Sequence, residues 1–163
     1  MDQEQGKYMN NTFDIIRTTR SNFLRLVDGL SEEQLNHVPA GFNNNIAWNL
    51  AHILVVQQTL CYLRMGFESQ IPQQDMKRFG KGSKPDQWIG KEEIALFKSQ
   101  VMEQIAQLEK DLRSGFFEER EYEKLLTSYG LTVDSLEYAI SYLATHDALH
   151  YGYVLALKRA IEQ

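Results

Sequence analysis

The stretch IAWNLAHILVVQQTLCYLRMG, residues 46–66, indicates the fold class more directly than any other part of the sequence. Apolar residues occupy nearly all sides of the helix that it would form, and a helix of this kind belongs in the interior of a protein. Asn44 or Asn45 can cap its first turn, and Gly66 is a suitable stop. We therefore expect a central, buried helix with other helices packed around it.

Three further segments have apolar residues at the spacings of three and four that are typical of amphipathic helices. Their apolar stripes are, in chain order, Met9, Phe13, Ile16, Phe23, Val27 and Leu30; then Ile94, Phe97, Val101, Ile105, Leu108 and Leu112; then Leu136, Ile140, Leu143, His146, His150, Val154, Leu157 and Ile161. The last helix should begin near Thr132 or Asp134. Together with residues 46–66, these segments predict an all-α fold, a four-helix bundle that forms a single domain over residues 1–163.

The segments between the main helices contain the residues that commonly form turns. Ser31 and Gln34 form a capping-box pattern for a short helical turn. Residues 67–90 are rich in glycine and proline and predict a long crossover between the second and third main helices, with a little helix around residues 72–79. Long loops in compact domains often lie over functional sites. Residues 116–130 are expected to hold another short helix.

The composition is that of an ordinary soluble globular protein, with 43% hydrophobic and 24% charged residues. A formal net charge of −5 argues against nucleic-acid binding, which requires a basic face. The N-terminus lacks the apolar core of a secretory signal, and polar residues interrupt the apolar stretches, so no membrane span is expected. The single cysteine, Cys61, cannot form an internal disulfide, which favours a cytoplasmic location and excludes a zinc finger.

Two of the four histidines, His146 and His150, lie one helical turn apart in the stretch THDALHYGY, residues 145–153. Both fall on the apolar stripe of the last helix, so their burial requires polar partners or a metal ion. The spacing alone is compatible with metal ligands and with histidines that are hydrogen-bonded in a core. His52, on the apolar helix, is the best candidate for a third ligand, because bundles readily supply ligands from two helices.

The same stretch is similar to the metalloprotease pattern H-E-x-x-H, with Asp147 in the place of the catalytic Glu. We reject a protease because Asp is shorter than Glu and because no histidine follows His150 to serve as a downstream ligand. Asp147 is expected to point away from the apolar stripe. His37 lies in an irregular stretch with proline and glycine and is expected at the surface.

The segments IAWNLAH, residues 46–52, and HDALHYGYVLALKR, residues 146–159, resemble the DinB-like (YfiT-like) family of metal-binding four-helix bundles. That family has a W-N-x-x-H segment early in the second helix and an H-x-x-x-H pair in the last long helix. The matching residues are Trp48, Asn49 and His52 in the first pattern and His146, His150, Gly152 and Arg159 in the second. Ala51 and Asp147 stand where the family commonly has Gly and Glu, and neither departure removes a ligand.

The resemblance implies a divalent metal, usually nickel or zinc, held by His52, His146 and His150 with water completing the coordination. It also implies an enzyme acting on a small molecule, either by hydrolysis through metal-bound water or by thiol (S-)transfer through the metal-bound thiolate of a low-molecular-weight thiol. Homodimers are frequent in the family, so a homodimer is expected. The alternative function is a non-catalytic module for metal binding or dimerisation.

Three neighbours of the histidines are candidates for contact with substrate. Trp48 and Asn49 lie about one turn before His52, and Tyr142 lies one turn before His146. Each candidate also has a structural interpretation, because Trp48 and Tyr142 suit a bundle core and Asn49 suits local hydrogen bonding.

Two lysines, Lys81 and Lys84, lie in the long crossover that is expected over the site. Their charges could attract an anionic substrate, or they could simply be solvated charges of an exposed loop. The sequence leaves both interpretations open.

Overall fold

The structure is a computed structural model that describes residues 3–162, with side chains from residue 6 onward. Residues 1, 2 and 163, the ends of the predicted domain, lie outside this part. The helices are α1 (Gln3–Asp28), α2 (Glu32–Asn36), α3 (Ile46–Cys61), α4 (Gln73–Arg78), α5 (Lys91–Arg113) and α6 (Leu136–Ile161). A 3-10 turn covers Leu63–Met65, and two short strands are β1 (Leu125–Leu126) and β2 (Thr132–Val133).

Four long helices form the bundle. Both α1 and α3 pack against α5 and against α6, which places α1 and α3 at opposite corners. The predicted all-α bundle is confirmed, and α3 is buried along nearly its whole length as expected of a central helix. The connection between α3 and α5 is the predicted long crossover, and α4 is the short helix expected within it.

Short polar side chains mark the helix starts. The Asn45 side chain caps α3 by accepting a 2.7 Å hydrogen bond from the backbone N–H of Trp48. Ser31 and Gln34 form the predicted capping box at α2. At the other end of the apolar stretch, Gly66 adopts a φ of 75°, a left-handed conformation that ends the 3-10 turn after α3.

The short helix predicted over residues 116–130 is wrong. Gly115 and Glu119 have φ values of 76° and 64°, which a right-handed helix does not contain. Further along this segment, β1 pairs antiparallel with β2 in a small hairpin. The left-handed Glu119 and the hairpin therefore replace the helix that was expected in this segment.

The last helix begins later than predicted. Its cap is Ser135, whose side chain accepts a 3.1 Å hydrogen bond from the backbone N–H of Tyr138, and not Thr132 or Asp134. Thr132 is instead part of β2, so its backbone is extended. The α6 stripe then follows the predicted positions through the bundle.

The apolar core consists of two clusters with buried polar side chains between them. One cluster includes Phe23, Trp48, Ile53, Val101 and Val154, and the other includes Phe13, Leu60, Ile105, Ile140 and Leu143. The residues between them, here called the polar layer, come from all four long helices and are Arg20, Gln57, Gln58, Gln104 and Asp147. Within this layer, Gln57 donates to the backbone oxygen of Gln104 and Gln58 donates to its side chain, at 2.8 and 3.3 Å. The histidines lie beside this layer.

The segment Ile46–Met65 is long and apolar enough to cross a membrane by length and composition. However, 83% of its apolar window is buried inside the protein. The bundle itself therefore accounts for the apolar composition of α3.

Candidate metal centre

The three histidines predicted as ligands come together where α3 faces α6. The ring centroids of His146 and His150 are 4.4 Å apart, and the His52 ring lies 5.3 and 4.6 Å from them. One ring nitrogen from each histidine can be chosen so that all three lie within 4.8 Å of one another. The side chains of His52 and His146 are buried and that of His150 is half-buried. The cluster can therefore offer three nitrogen donors to one ion.

Hydrogen bonds fix which nitrogen of two histidines faces the cluster. His52 Nδ1 lies 2.6 Å from the backbone oxygen of Phe79, which can only accept, so Nδ1 carries the proton. His150 Nδ1 lies 2.7 Å from Asn49 Oδ1. The Asn49 amide nitrogen donates to the backbone oxygen of Asn45 at 2.7 Å, which orients Oδ1 as the acceptor for His150. In both histidines, Nε2 is left with a free lone pair, the arrangement that protein metal sites commonly use.

Asp147 does not point away from the apolar stripe, and that prediction is wrong. Its side chain is fully buried, and its Oδ2 accepts a 2.7 Å hydrogen bond from Nε of Arg20, which is also fully buried. The reason is helical geometry, since Asp147 lies four residues after Leu143 and seven before Val154 and shares their face. The buried face of α6 is wider than the single stripe suggested.

The third histidine faces this ion pair. His146 Nδ1 lies 3.7 Å from Asp147 Oδ1. Among the residues with described side chains, neither atom has a hydrogen-bond partner, and neither does Nη2 of Arg20. Asp147 is thus the carboxylate beside Nδ1 of His146, at a distance longer than the hydrogen bonds that Phe79 and Asn49 make to the other two histidines. Carboxylates in this position orient ligating histidines and increase their basicity.

The electrostatics of the cluster favour uncharged imidazoles at His52 and His150, beside the carboxylate of Asp147. Burial lowers the pKa of His52 to about 4. Burial, together with the neighbouring His146 and His52, lowers the pKa of His150 to about 3. Burial raises the pKa of Asp147, but the charge of Arg20 and the adjacent His146 outweigh it and lower the pKa below its usual value. Neutral imidazole is the form that binds a metal, so the donor set fits a divalent ion.

A cavity of about 680 Å³ opens beside the cluster and has His52 and His146 on its wall. Trp48 and Tyr142, two of the predicted substrate contacts, also line it. The Trp48 ring stacks on His52 with centroids 4.4 Å apart, and the Tyr142 ring lies 6.1 Å from that of His146. The volume is in the range of small-molecule sites.

Asn49, the third predicted substrate contact, lies away from the cavity wall that Trp48 and Tyr142 share. Its side chain is fully buried and is bonded to His150 and Asn45. It is not among the residues that line the cavity. The local hydrogen-bonding interpretation of Asn49 therefore describes its contacts better than substrate contact does.

Several cavity residues escaped the sequence analysis. Leu125, Leu126, Thr127 and Ser128 come from β1 and the turn that follows it, the segment predicted as helix. Gly130, at a φ of 87° between two apolar runs, is the turn signal that could have indicated a hairpin here. Arg20, the partner of Asp147 outside the cavity, was also missed. It could have been found as the one charged residue within the apolar stripe of the first helix.

His37 and Cys61, two residues considered in the sequence analysis, lie outside the cluster. His37 is exposed, as predicted. Cys61 is fully buried, and burial raises the pKa of its thiol to about 12, so it is a packed side chain and not a nucleophile.

Comparison with known protein families bears directly on this arrangement. Residues 15–154 match the family model described as the DinB superfamily. The chain belongs to the DinB superfamily. The match includes His52, His146 and His150 and confirms the resemblance drawn from the sequence patterns around them. Among curated proteins, none matches the sequence significantly.

Proposed function

We propose that this DinB-superfamily protein is a divalent-metal-dependent enzyme that acts on a small molecule. In this proposal, His52, His146 and His150 hold the metal, with nickel or zinc as the ion. The observation that carries it is the convergence of three imidazoles beside a cavity, with His52 and His146 on the cavity wall and with the Nδ1 protons of His52 and His150 held by fixed acceptors. A structural metal site is normally closed by four protein ligands, whereas three ligands beside a cavity leave room for a reactant.

A divalent ion bound there would lower the pKa of a coordinated water or thiol toward neutrality. The chain itself supplies positioning, because the Phe79 carbonyl and the Asn49 amide hold His52 and His150 in one tautomer and one orientation. Trp48 keeps the His52 ring in place by stacking on it and forms part of the cavity wall. Tyr142 lines the same wall beside His146 and, with Trp48, is proposed to contact substrate.

Two reactions suit this site. In the first, water attacks the substrate and the protein is a hydrolase. In the second, a low-molecular-weight thiol attacks an electrophile and the protein is a thiol S-transferase. The cavity is large enough for a small thiol together with a second reactant, which supports the S-transferase without excluding hydrolysis.

The proposed setting is the cytoplasm, where the lone thiol of Cys61 stays reduced. The proposed oligomer is a homodimer. It is supported by the face of α1 and α6, where Tyr8, Ile15 and Leu149 are 63%, 55% and 50% exposed and line a shallow groove. Exposed apolar side chains that cluster in this way favour contact with another chain. Light scattering on Ile15→Glu should show a shift to monomer, and an unchanged mass would place any dimer contact elsewhere.

The enzymatic proposal is tested with protein freed of metal by a chelator and then reconstituted with Ni²⁺ or Zn²⁺. One panel contains simple esters and amides, and the other contains small thiols paired with electrophiles. Turnover in either panel should depend on the added metal, be lost in His146→Ala and be retained in His37→Ala, which alters an exposed histidine outside the cluster. Tight metal binding without turnover in either panel would favour the alternative, a non-catalytic metal-binding or dimerisation module.

A further inference from the structure

The cavity beside the histidines has a charge opposite to that of the protein as a whole. The chain has a formal net charge of −5, yet the cavity wall includes Lys81, Lys84 and Arg64. Within residues 6–162, no Asp or Glu is among the residues that line it. The local field therefore favours a negatively charged group over a neutral or positive one.

The two lysines differ from the arginine in what they contact. Arg64 forms an ion pair with Glu123 at 2.9 Å, so its charge is already partly neutralised. Lys81 and Lys84 form no ion pair within the part of the chain that has described side chains. They are the cations of the cavity that remain available to a bound molecule.

The segment that carries these lysines is held in a defined conformation. Gly80 allows a tight turn, since a Cβ there would lie 2.5 Å from the backbone oxygen of Met76. Ser83 Oγ donates toward the backbone oxygens of Arg78 and Gly80, at 2.7 and 2.9 Å. These contacts make residues 79–84 an ordered turn and not a freely solvated loop.

The same turn is attached to the histidine cluster at two points. The Phe79 backbone oxygen accepts the hydrogen bond from His52 Nδ1, at 2.6 Å. Trp48 Nε1, whose ring stacks on His52, donates to Ser83 Oγ at 3.2 Å. The backbone that carries Lys81, and Lys84 directly after Ser83, is therefore anchored beside the candidate metal ligands.

Apolar side chains make up much of the remaining wall. Val55, Val56 and Leu60 contribute from α3, and Leu125 and Leu126 contribute from β1. Hydroxyl groups of Thr127 and Ser128 add hydrogen-bonding capacity in the same hairpin. A bound molecule would thus meet an apolar surface on one side and free ammonium groups on another.

We infer that the cavity takes a small molecule with an apolar body and an anionic group, the anion held by Lys81 and Lys84 and the body packed against α3 and β1. This inference rests on the proposed function and adds the chemical class of the substrate. It gives the long crossover a role in recognition. The anion can be a carboxylate or a phosphate, because ammonium groups bind both as point charges.

Four probes with the same apolar chain separate these contributions: octanoate, octyl phosphate, octanol and octylamine. The titration uses metal-free protein, so that a bond between carboxylate and metal cannot account for binding. The Trp88→Phe background removes the exposed tryptophan of the two in the chain and leaves Trp48 on the cavity wall as the fluorescent reporter. Isothermal titration calorimetry provides a second readout.

Octanoate or octyl phosphate should bind about fivefold more tightly than octanol, with octylamine weakest, since two exposed charges supply a contribution of this order. Lys81→Ala/Lys84→Ala should abolish the preference while leaving octanol binding unchanged. The matched control, Lys91→Ala/Lys110→Ala, removes the same amount of charge from exposed positions of α5 and should keep the preference for anions. Comparison of the two anions identifies the preferred group.

The inference is overturned if octanol binds as tightly as both anions, or if the Lys81→Ala/Lys84→Ala variant keeps the preference. Neither result bears on metal binding, because no metal is present in the titration. Conversely, a protein that fails to bind Ni²⁺ or Zn²⁺ but prefers anions would defeat the proposed enzyme while leaving the charge selectivity of the cavity intact.

Discussion

The histidine cluster lies between two polar regions that handle charge in different ways. In the polar layer, Arg20 and Asp147 are both fully buried and are paired at 2.7 Å. At the cavity, Lys81 and Lys84 are exposed and form no ion pair with any residue whose side chain is described. The first region has charges that only the protein itself can satisfy, and the second has charges that a ligand can satisfy.

This difference in how charges are satisfied indicates separate roles for the polar layer and for the cavity lysines. A buried ion pair costs more in lost hydration than its attraction usually returns, so it contributes little net stability compared with apolar packing. What it does provide here is a carboxylate at a fixed place, 3.7 Å from Nδ1 of His146. Under the proposed function, the polar layer would position a metal ligand, and the cavity lysines would recognise the substrate.

The largest effect should come from removing one charge of the buried pair. Arg20→Met leaves Asp147 ionised and unpartnered, which typically destabilises a protein by about 3–5 kcal/mol. Urea denaturation of the metal-free variant measures this loss. Arg20→Met/Asp147→Leu, which removes both charges, should recover most of it, and a single variant as stable as the wild type would show that the pair is not essential.

Acid should destabilise the metal-free protein through the same buried region. The pKa values of His52 and His150 are lowered to about 4 and about 3 in the folded state, so the unfolded chain binds more protons as pH falls below about 6.5. The contribution of these two histidines to the free energy of unfolding is fully present above that pH and is lost progressively as pH falls toward the folded pKa values, by several kcal/mol in all.

Denaturation of the metal-free protein at a series of pH values checks this expectation. His37→Ala should show the same slope, since this histidine is exposed. A His52→Ala/His150→Ala variant should show a much shallower one. An equally steep slope in that variant would assign the acid sensitivity to other groups.

A smaller effect is expected on metal affinity when the carboxylate behind His146 is lost. In the Arg20→Met/Asp147→Leu variant, the three histidines remain but His146 loses the carboxylate that lies 3.7 Å from its Nδ1. Removing such an outer partner typically weakens metal binding about 10–100-fold. Competition with a chromophoric chelator measures this affinity, and an unchanged Kd would show that Asp147 does not support His146.

The smallest effect should be that of the cavity lysines on folding. Lys84→Ala removes an exposed charge that has no ion-pair partner among residues 6–162, so its free energy of unfolding should lie within about 0.5 kcal/mol of the wild type. A loss comparable to that of Arg20→Met would mean that the lysines are structural, and the contrast between the two regions would disappear.

The sequence was sufficient for the features that depend on local pattern. The Asn45 cap and the continuous apolar run after it predict α3, and the His52, His146 and His150 positions follow from helical spacing. The sequence was insufficient for features that depend on an unusual backbone conformation or on a contact between distant segments. The left-handed Glu119 is not evident from its residue type, and the Phe79 carbonyl that holds His52 comes from a loop 27 residues away.

The prediction for Asp147 was wrong for a third reason. The apolar pattern of the last helix was present in the sequence, but its buried face was interpreted as too narrow. A stripe through His146 and His150 seemed to exclude it, although its spacing from Leu143 and Val154 places it on the same buried face. Arg20 and Asp147 are 127 residues apart, and only the packing of α1 against α6 shows that they form a pair. A charged residue inside an apolar stripe is a signal to look for its partner.

The central claim is that His52, His146 and His150 bind one divalent ion, and metal analysis after incubation with Ni²⁺ or Zn²⁺ and removal of the excess tests it most directly. The wild type and His37→Ala should retain about one ion per chain, as expected for a single three-histidine site. His52→Ala, His146→Ala and His150→Ala should each retain far less while remaining folded by circular dichroism. A wild type without metal, or a His146→Ala variant that binds as much as the wild type, would contradict the claim.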